Sequence, residues 1–306
     1  MNKLLIIGGF VLASSALFSQ ETTKNSEKSN YQFTKISHLD ATPVLSQGNT
    51  GTCWSFSALS FFESELIRKG MKSPPVLSQM YIVRKAYEAK AEKYIRLDGK
   101  GNFSEGGAFH DIPYVIRHYG IVPSSVYSGL SEGVERHNHS EMFAVLNASV
   151  QAVRKHAGNL RRGATLSNNW KVALFSILDS YLGADPKEFE YDGKKQTPMS
   201  YSKSLGLNMD DYISLTSLTN HKEYESCFIA IPDNWAWGTS YNVPLPDLMT
   251  VVESALKNGY TLAWGADVSE KGFSFKNGIA ISPEDPSTIA VSGRDNRNFS
   301  DAGAER

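Results

Sequence analysis

Apolar side chains recur at three- and four-residue spacing behind a short polar loop in the first fifth of the chain. The apolar members of this run are Trp54, Phe56, Leu59, Phe62 and Leu66. This spacing places them on one face of an α-helix, which the sequence predicts to begin at Cys53 and to end before Gly70. Glu65 and Lys69 are expected to form an i,i+4 ion pair on this helix.

Comparable patterns predict further helices and some strands. The further predicted helices cover 77–93, 112–119, 141–156, 170–182 and 243–258. The apolar face of the last helix carries Leu248, Val251, Val252, Ala255 and Leu256. Apolar runs predict strands at 227–231 and 260–268, whereas 185–198 has the composition of a loop. The predicted strands therefore lie toward the C-terminal end of the sequence.

The first twenty residues have the pattern of a targeting segment. A positively charged start at 1–3 is followed by an apolar stretch at 4–18 and a polar run at 21–30. The apolar stretch is shorter than the roughly 20 residues of a spanning helix, so we expect a cleaved signal peptide and no stable membrane span. The sequence predicts export to a periplasm or the cell exterior, with 21–35 as a polar, disordered linker.

Composition and charge narrow the class of protein. The chain has 306 residues, 41% of them hydrophobic, which suffices for one large or two ordinary domains. A net charge of −1 gives no electrostatic reason to expect nucleic acid as a partner. The only cysteines are Cys53 and Cys227, so the fold is not a disulfide scaffold. Cys227 is predicted to be a core residue of a strand, and pairing of the two cysteines is the less favoured alternative to a free Cys53 thiol.

Cys53 is the candidate nucleophile. A cysteine attacks a carbonyl carbon as the thiolate, and its ordinary pKa of about 8.5 leaves little thiolate at neutral pH. At a helix N-terminus, free backbone N–H groups and the helix dipole stabilise a thiolate and an adjacent oxyanion. Gly48 and Gly51 allow a tight turn, which lets the Gln47 amide point toward Cys53 and donate to the same oxyanion. The alternative is a buried, inert cysteine under a core helix.

The run TPVLSQGNTGTCWSFSALSFFE at 42–63 resembles the active-site segment of papain-like cysteine peptidases. That segment combines a Gln, a Gly-X-Cys-Trp sequence and a helix that continues with Phe-Ser or Phe-Ala. The resemblance implies that Cys53 is the nucleophile, Gln47 an oxyanion donor and Trp54 part of the substrate-binding site. It also implies an α+β, papain-like two-domain fold, in which a helical domain faces a barrel-like domain across a cleft.

A second block strengthens this resemblance. LSQMY at 77–81 precedes the Gly106-Gly107 pair, as a Leu-Ser-Glu/Gln helix precedes a Gly-Gly segment in the papain-like family. By itself a Gly-Gly pair more commonly marks a plain turn. The resemblance implies that Gly106 and Gly107 line the cleft and hydrogen-bond an extended substrate, which bare backbone can do where no side chain intervenes.

The middle of the chain is similar to one branch of this family. The polar, helical stretch at 131–224 and the sequence VPLPDLMTVVESALKNGYTLAWGADV at 243–268 resemble the bleomycin hydrolase and aminopeptidase C branch, and the whole resemblance covers 42–273. It implies a helical catalytic-Cys domain at 36–130, a helical insertion at 131–224 and a partial barrel-like domain at 225–306.

The acid–base partner of the thiol is missing from its expected place. In the family a His and an Asn-Ser-Trp-Gly motif follow the strand that 260–268 resembles, but no histidine follows His221 here. We therefore expect either a sequence cut short of its catalytic His or a degenerate relative. His110 is a weak candidate for the base. The other histidines are interpreted as surface or helix-packing residues, and His137 and His139 as part of a solvated loop instead of a metal site.

The resemblance implies a cysteine-type peptidase that acts as an aminopeptidase through an acyl-enzyme. It implies peptide substrates, self-assembly as a homo-oligomer through the inserted helices, and no metal or organic cofactor. A catalytically inactive papain-like fragment, or a peptide-binding pseudoenzyme, is the alternative.

Overall fold

A computed structural model describes residues 22–23, 33–265, 268, 273–274 and 279–280. The helices are α1 (Cys53–Arg68), α2 (Gln79–Arg96), α3 (Asp111–Tyr119), α4 (Ser140–Gly158), α5 (Asn169–Leu182), α6 (Pro198–Ser204) and α7 (Leu245–Lys257), with a short 3-10 helix at Met209–Asp211. The strands are β1 (Thr22–Thr23), β2 (Phe33–Thr34), β3 (Phe189–Tyr191), β4 (Lys194–Gln196), β5 (Leu215–Thr216), β6 (Glu225–Phe228), β7 (Thr239–Asn242), β8 (Phe273–Ser274) and β9 (Ile279–Ala280).

Helix α1 begins and ends as the apolar spacing predicts. Its face toward the core buries Leu59 and Leu66, among other residues. The predicted pairing of Glu65 with Lys69 is wrong. Glu65 instead accepts two hydrogen bonds from Arg68, at 2.8 and 2.9 Å, because the guanidinium fork matches a carboxylate. The Lys69 Nζ atom donates to the Gly206 carbonyl at 2.7 Å.

Helix α2 is the central element of the helical core. The Ser78 side chain caps it by accepting from the Tyr81 N–H at 3.0 Å. The helix packs against α1, α3, α4 and α5, and most of its length is therefore buried on all sides. Burial extends to charged residues: Arg84 pairs with Asp179 of α5 at 2.7 Å, and Lys85 pairs with Asp185 at 2.6 Å. These ion pairs fix the position of α2 along α5 and along the residues that directly follow α5.

The two predicted helices of the central stretch are present as α4 and α5. They pack against each other and against α2, and their buried leucines belong to the same hydrophobic core as α1. The prediction of a loop at 185–198 is partly wrong, because β3 and β4 form an antiparallel hairpin there. Asp192 and Gly193 both have positive φ at its turn, 49° and 69°. An Asp-Gly pair favours such a turn.

A small open sheet follows the helices. Strand β7 lies in the middle, parallel to β5 and antiparallel to β6. Cys227 of β6 is buried, with 7% of its surface exposed, as predicted. The described residues contain no closed barrel. Residues 260–265 lie in no strand, so the prediction of a strand there is wrong for the described part of 260–268.

Helix α7 has the predicted amphipathic pattern but little to pack against. None of its residues is fully buried, and Val251 on its apolar face is 42% exposed. Leu248, Val252 and Leu256 are half-buried. The apolar face is thus only partly covered by the described residues.

The N-terminal predictions fall largely outside the described residues. The predicted signal peptide at 1–20 lies wholly outside them. Of the predicted linker at 21–35, β1 and β2 are described and pair antiparallel, with Thr22 opposite Thr34. Among the residues that the structure covers, no helix combines the length and the apolar character needed to cross a membrane.

Candidate active site

Cys53 is the first residue of α1 and its side chain is exposed. Cys53 and Cys227 are both free thiols, so the alternative of a disulfide between them is excluded. The first described backbone bond of the helix is donated by Ser55, to the Thr52 carbonyl at 2.9 Å. The N–H groups of Cys53 and Trp54 find no acceptor among residues 33–265. The helix N-terminus therefore presents two free N–H donors beside the thiol.

The loop before Cys53 is a tight turn that holds Gln47. The Gln47 Nε2 atom donates to the Thr50 carbonyl at 2.5 Å, and the Thr50 hydroxyl donates back to the Gln47 carbonyl at 2.9 Å. Gly48 has φ +67°, and a β-carbon there would collide with the His137 carbonyl. This position therefore requires glycine. The second Nε2 hydrogen of Gln47 makes no hydrogen bond among the described residues and is available to an oxyanion. The role of Gln47 as an oxyanion donor stays a prediction.

Glu105 joins the loop before Cys53 to the Gly-Gly segment. Its Oε2 atom accepts from the Gly51 N–H at 2.7 Å, and its backbone carbonyl accepts from Trp54 Nε1 at 3.1 Å. Glu105 thus holds both Gly51 and Trp54, which lie on either side of Cys53 in the sequence. Trp54 itself is 3% exposed, so it lies beneath the Gly-Gly segment instead of offering a surface to substrate.

The Gly106-Gly107 pair lies above this tryptophan. A β-carbon on Gly106 would lie 2.6 Å from the Asp233 carboxylate, and one on Gly107 would lie 2.7 Å from the Trp54 ring and from Asp111 Oδ2. Packing against the buried Trp54 ring therefore favours glycine at Gly107, whereas a β-carbon on Gly106 would require the Asp233 carboxylate to move. The Gly107 N–H and carbonyl make no hydrogen bond within the described part of the chain. The N–H and carbonyl of this half-exposed residue are free to pair with an extended chain.

Buried ionisable groups surround the Gly-Gly segment. Lys90 of α2 is 1% exposed and donates from Nζ to the Ser104 carbonyl at 3.0 Å and to the Gly106 carbonyl. Burial lowers the pKa of Lys90 to about 8, against the opposing effect of nearby carboxylates. Asp111 accepts from Trp235 Nε1 at 2.6 Å. Burial raises the pKa of Asp111 to about 7.

The histidines do not supply a partner for the thiol. Cys53 makes no hydrogen bond to a histidine among the described residues. His110 precedes α3, and its ring packs against Gly238. The His110 Nε2 atom is buried without a hydrogen bond, 3.6 Å from Asp111 Oδ1. Burial lowers the pKa of His110 below its ordinary value.

The prediction of a solvated loop at His137 and His139 is wrong. His139 is 2% exposed, and neither of its ring nitrogens has a hydrogen-bond partner. His139 is buried because its segment pairs with the loop before Cys53. The Asn49 N–H donates to the His137 carbonyl at 2.8 Å, and the His139 N–H donates to the Asn49 carbonyl at 3.1 Å. Burial, and then the nearby His137, lower the pKa of His139 to about 4. No group of three metal-binding side chains was found in the described residues.

Sequence reasoning missed four residues of this site. Glu105, Lys90, Asp111 and Asp233 all contact the Gly-Gly segment or the loop before Cys53. Only Glu105 carried a usable signal, because it directly precedes the Gly-Gly pair. The other three are charged residues in helical or loop contexts that favour solvent exposure.

Comparisons with known proteins identify the family of this chain. The model of the Peptidase C1-like family matches residues 4–282. Aminopeptidase G of Lactobacillus delbrueckii subsp. lactis is 24% identical over 266 residues, which are 74% of this chain and 59% of the relative. Aminopeptidase C of Streptococcus thermophilus is 24% identical over 298 residues, 84% of this chain and 65% of the relative.

A solved structure has a similar fold. The crystal structure of PepW from Lactobacillus rhamnosis superposes with a TM-score of 0.59 at 21% identity, over 74% of this chain and 58% of that chain. The chain spans about three fifths of the length of the first curated relatives that it matches. The family model covers most of the sequence, and the fold is the α+β, papain-like fold that the sequence predicts. This chain belongs to the Peptidase C1-like family.

Proposed function

We propose that the chain is a cysteine peptidase of the aminopeptidase type, which releases N-terminal residues from peptides through an acyl-enzyme on Cys53. The observation that carries the proposal is the exposed, unpaired Cys53 thiol at the start of α1, beside two free backbone N–H groups. The names of the relatives support the choice of aminopeptidase over other peptidases.

The proposed reaction forms and then hydrolyses a thioester. The Cys53 sulfur bonds to the substrate carbonyl carbon, and the carbonyl oxygen becomes an oxyanion that the Cys53 N–H and the Gln47 amide stabilise. The C–N bond then breaks and the amine leaves with a proton. Water adds to the thioester carbon and the C–S bond breaks, which releases the acid and restores the thiol. The proton that the Cys53 thiol loses balances the proton that the leaving amine gains, and no histidine among the described residues is hydrogen-bonded to Cys53 to carry it.

The unpaired backbone N–H and carbonyl of Gly107 supply the second part of the proposal. A substrate in extended conformation pairs with the Gly107 N–H and carbonyl, as one strand pairs with another. This pairing would hold the reacting carbonyl next to the nucleophile, which removes much of the entropic barrier to attack. No metal or organic cofactor enters this chemistry.

A fluorogenic aminoacyl amide tests the proposal. We expect the protein to release the fluorophore from a substrate with a free N-terminal amine, and Cys53→Ala to abolish that release. Cys227→Ala is the matched control, since it removes the other, buried thiol. An N-acetylated substrate should react far more slowly if the action is that of an aminopeptidase. Full activity in Cys53→Ala would contradict the proposal.

A peptide-binding pseudoenzyme is the second candidate. It is favoured by one observation, that Cys53 has no histidine partner among the described residues. This candidate predicts binding of a fluorescent peptide without turnover. It also predicts that iodoacetamide modifies Cys53 at mildly acidic pH no faster than it modifies free cysteine.

We further propose that the protein is exported, is homo-oligomeric and belongs to the bleomycin hydrolase and aminopeptidase C branch. The support for export is the targeting pattern at 1–20, and the support for the branch is the sequence at 243–268. Recovery of the native protein from the cytosolic fraction would contradict export.

A further inference from the structure

Lys90 is a buried cation directly behind the cleft segment. It lies on α2 with 1% of its surface exposed, and no carboxylate of the described residues forms an ion pair with it. Its Nζ atom donates to the Ser104 and Gly106 carbonyls instead. Three aromatic rings surround the same atom at 5.8 to 5.9 Å from their centroids, those of Trp54, Tyr87 and Trp235.

Hydrophobic packing does not explain a lysine at this position. An apolar side chain of similar length would fill the same space without the penalty of removing an ammonium from water. The aromatic rings and the two carbonyls offset that penalty, because a cation is attracted to ring faces and forms charge-assisted hydrogen bonds with oxygen. The charge therefore has a specific structural use, which is to hold the two carbonyls.

The backbone carbonyls of three consecutive residues, 104–106, each accept a hydrogen bond from a side chain. Ser104 and Gly106 give their carbonyls to Lys90, while the carbonyl between them, that of Glu105, accepts from Trp54. All three carbonyls are thus bonded to side chains of α1 and α2. The backbone N–H and carbonyl of Gly107, by contrast, make no hydrogen bond among residues 33–265.

We propose that Lys90 is a positioning residue for the peptide-binding segment. By holding the Ser104 and Gly106 carbonyls, it directs the unpaired N–H and carbonyl of Gly107 toward bound peptide and sets the Glu105 carboxylate at the Gly51 N–H. This inference rests on the proposed function for its consequence in peptide binding. The geometry of the segment itself does not depend on that function.

A pH dependence follows from the groups around Lys90. The carboxylates of Asp111, Asp233 and Glu105 all favour its charged form, and burial opposes them. As the pH rises through about 8, Lys90 loses its charge and its two bonds to carbonyls weaken. The affinity for peptide is expected to fall in the same pH range. An arginine at this position stays charged at that pH and removes this alkaline limb.

Peptide binding in the Cys53→Ala background provides the first test, with a fluorescent tripeptide that has a free amine as the probe. We expect Lys90→Met to raise the Kd roughly tenfold or more, the equivalent of losing one charge-assisted hydrogen bond. Lys85→Met is the matched control: Lys85 is also buried on α2, but it pairs with Asp185, away from the Gly-Gly segment. It should lower the Tm and leave the Kd unchanged. Lys90→Arg should bind as the parent protein does at neutral pH, without the loss above about pH 8.

Amide hydrogen exchange provides the second test, which needs no peptide. Lys90→Met should speed exchange in peptides that cover 48–54 and 104–109, and Lys85→Met should not. Unchanged exchange there in Lys90→Met, or an equal effect of both variants, would overturn the inference. If exchange responds as expected while the parent protein binds no peptide, the positioning role stands and the proposed function fails.

Discussion

The buried imidazole of His139 makes the stability of this protein sensitive to acid. Its pKa is about 4 in the folded protein, against an ordinary value of 6.5, because burial disfavours the charged ring and His137 repels it. Glu105 lies 3.9 Å from its Nδ1 atom, a contact that favours the charged ring but is outweighed by burial. Between these two pKa values the unfolded chain binds more protons than the folded one, so stability falls as the pH is lowered.

The magnitude follows from the same two values. At about 1.4 kcal/mol for each tenfold change in proton affinity, the neutral His139 contributes about 3 kcal/mol of stability that is present above about pH 6.5 and lost on acidification to about pH 4. For a protein domain of ordinary stability that is a large fraction of the total. The loss of this single contribution on acidification is therefore large enough to be measured by urea unfolding.

The assay is urea unfolding of the parent protein and of His139→Phe at several pH values between about 4 and 7. Phe keeps a ring in the buried site and removes the titration. The free energy of unfolding of the parent protein should fall relative to that of the variant by about 3 kcal/mol on acidification. Buried carboxylates such as Asp111, whose pKa is raised to about 7, act in the opposite direction, but they are common to both proteins and cancel in the difference. His118→Gln is the control for an exposed imidazole. Parallel pH profiles for the parent protein and His139→Phe would refute the reasoning.

Two substitutions test the packing around the site and the core. Gly107→Ala should lower the free energy of unfolding in urea by about 1–3 kcal/mol, because its β-carbon would lie 2.7 Å from the Trp54 ring. Gly158→Ala, where the β-carbon would meet open space, should be neutral or slightly stabilising. Equal effects of the two substitutions would contradict the contact. Leu59→Ala should cost about 2–5 kcal/mol, because Leu59 is fully buried in α1. Val172→Ala on the exposed face of α5 should cost less than about 0.5 kcal/mol, and a similar loss in both would show that burial does not govern the effect.

Local patterns predicted the elements that carry the nucleophile. The start of α1 at Cys53 follows from the apolar spacing and the preceding glycines, and the helices α2 to α5 follow from the local composition and apolar pattern of their segments. The small errors have local causes as well. A hairpin forms within residues 185–198, where the sequence predicts a loop. The Asp192-Gly193 pair favours the turn of a hairpin, although the residues around it have the composition of a loop.

Long-range contacts decided what the sequence did not predict. Lys90 and His139 are polar residues that a sequence places on the surface, yet both are buried because segments distant in the chain close over them. The strand predicted at 260–268 needs neighbours to pair with, and the described residues provide none at 260–265. Periodicity reports the face that a residue occupies but not the partner that covers it.

The partly covered face of α7 has a consequence for how stability is distributed along the chain. Helices with few buried apolar contacts open by local fluctuation at a free energy far below that of global unfolding. α7 has no fully buried residue, whereas most residues of α2 are buried. Helix α7 is therefore expected to unfold and refold many times while α1, whose buried apolar residues belong to the hydrophobic core, stays closed, so local opening of α7 leaves the helix of the nucleophile intact.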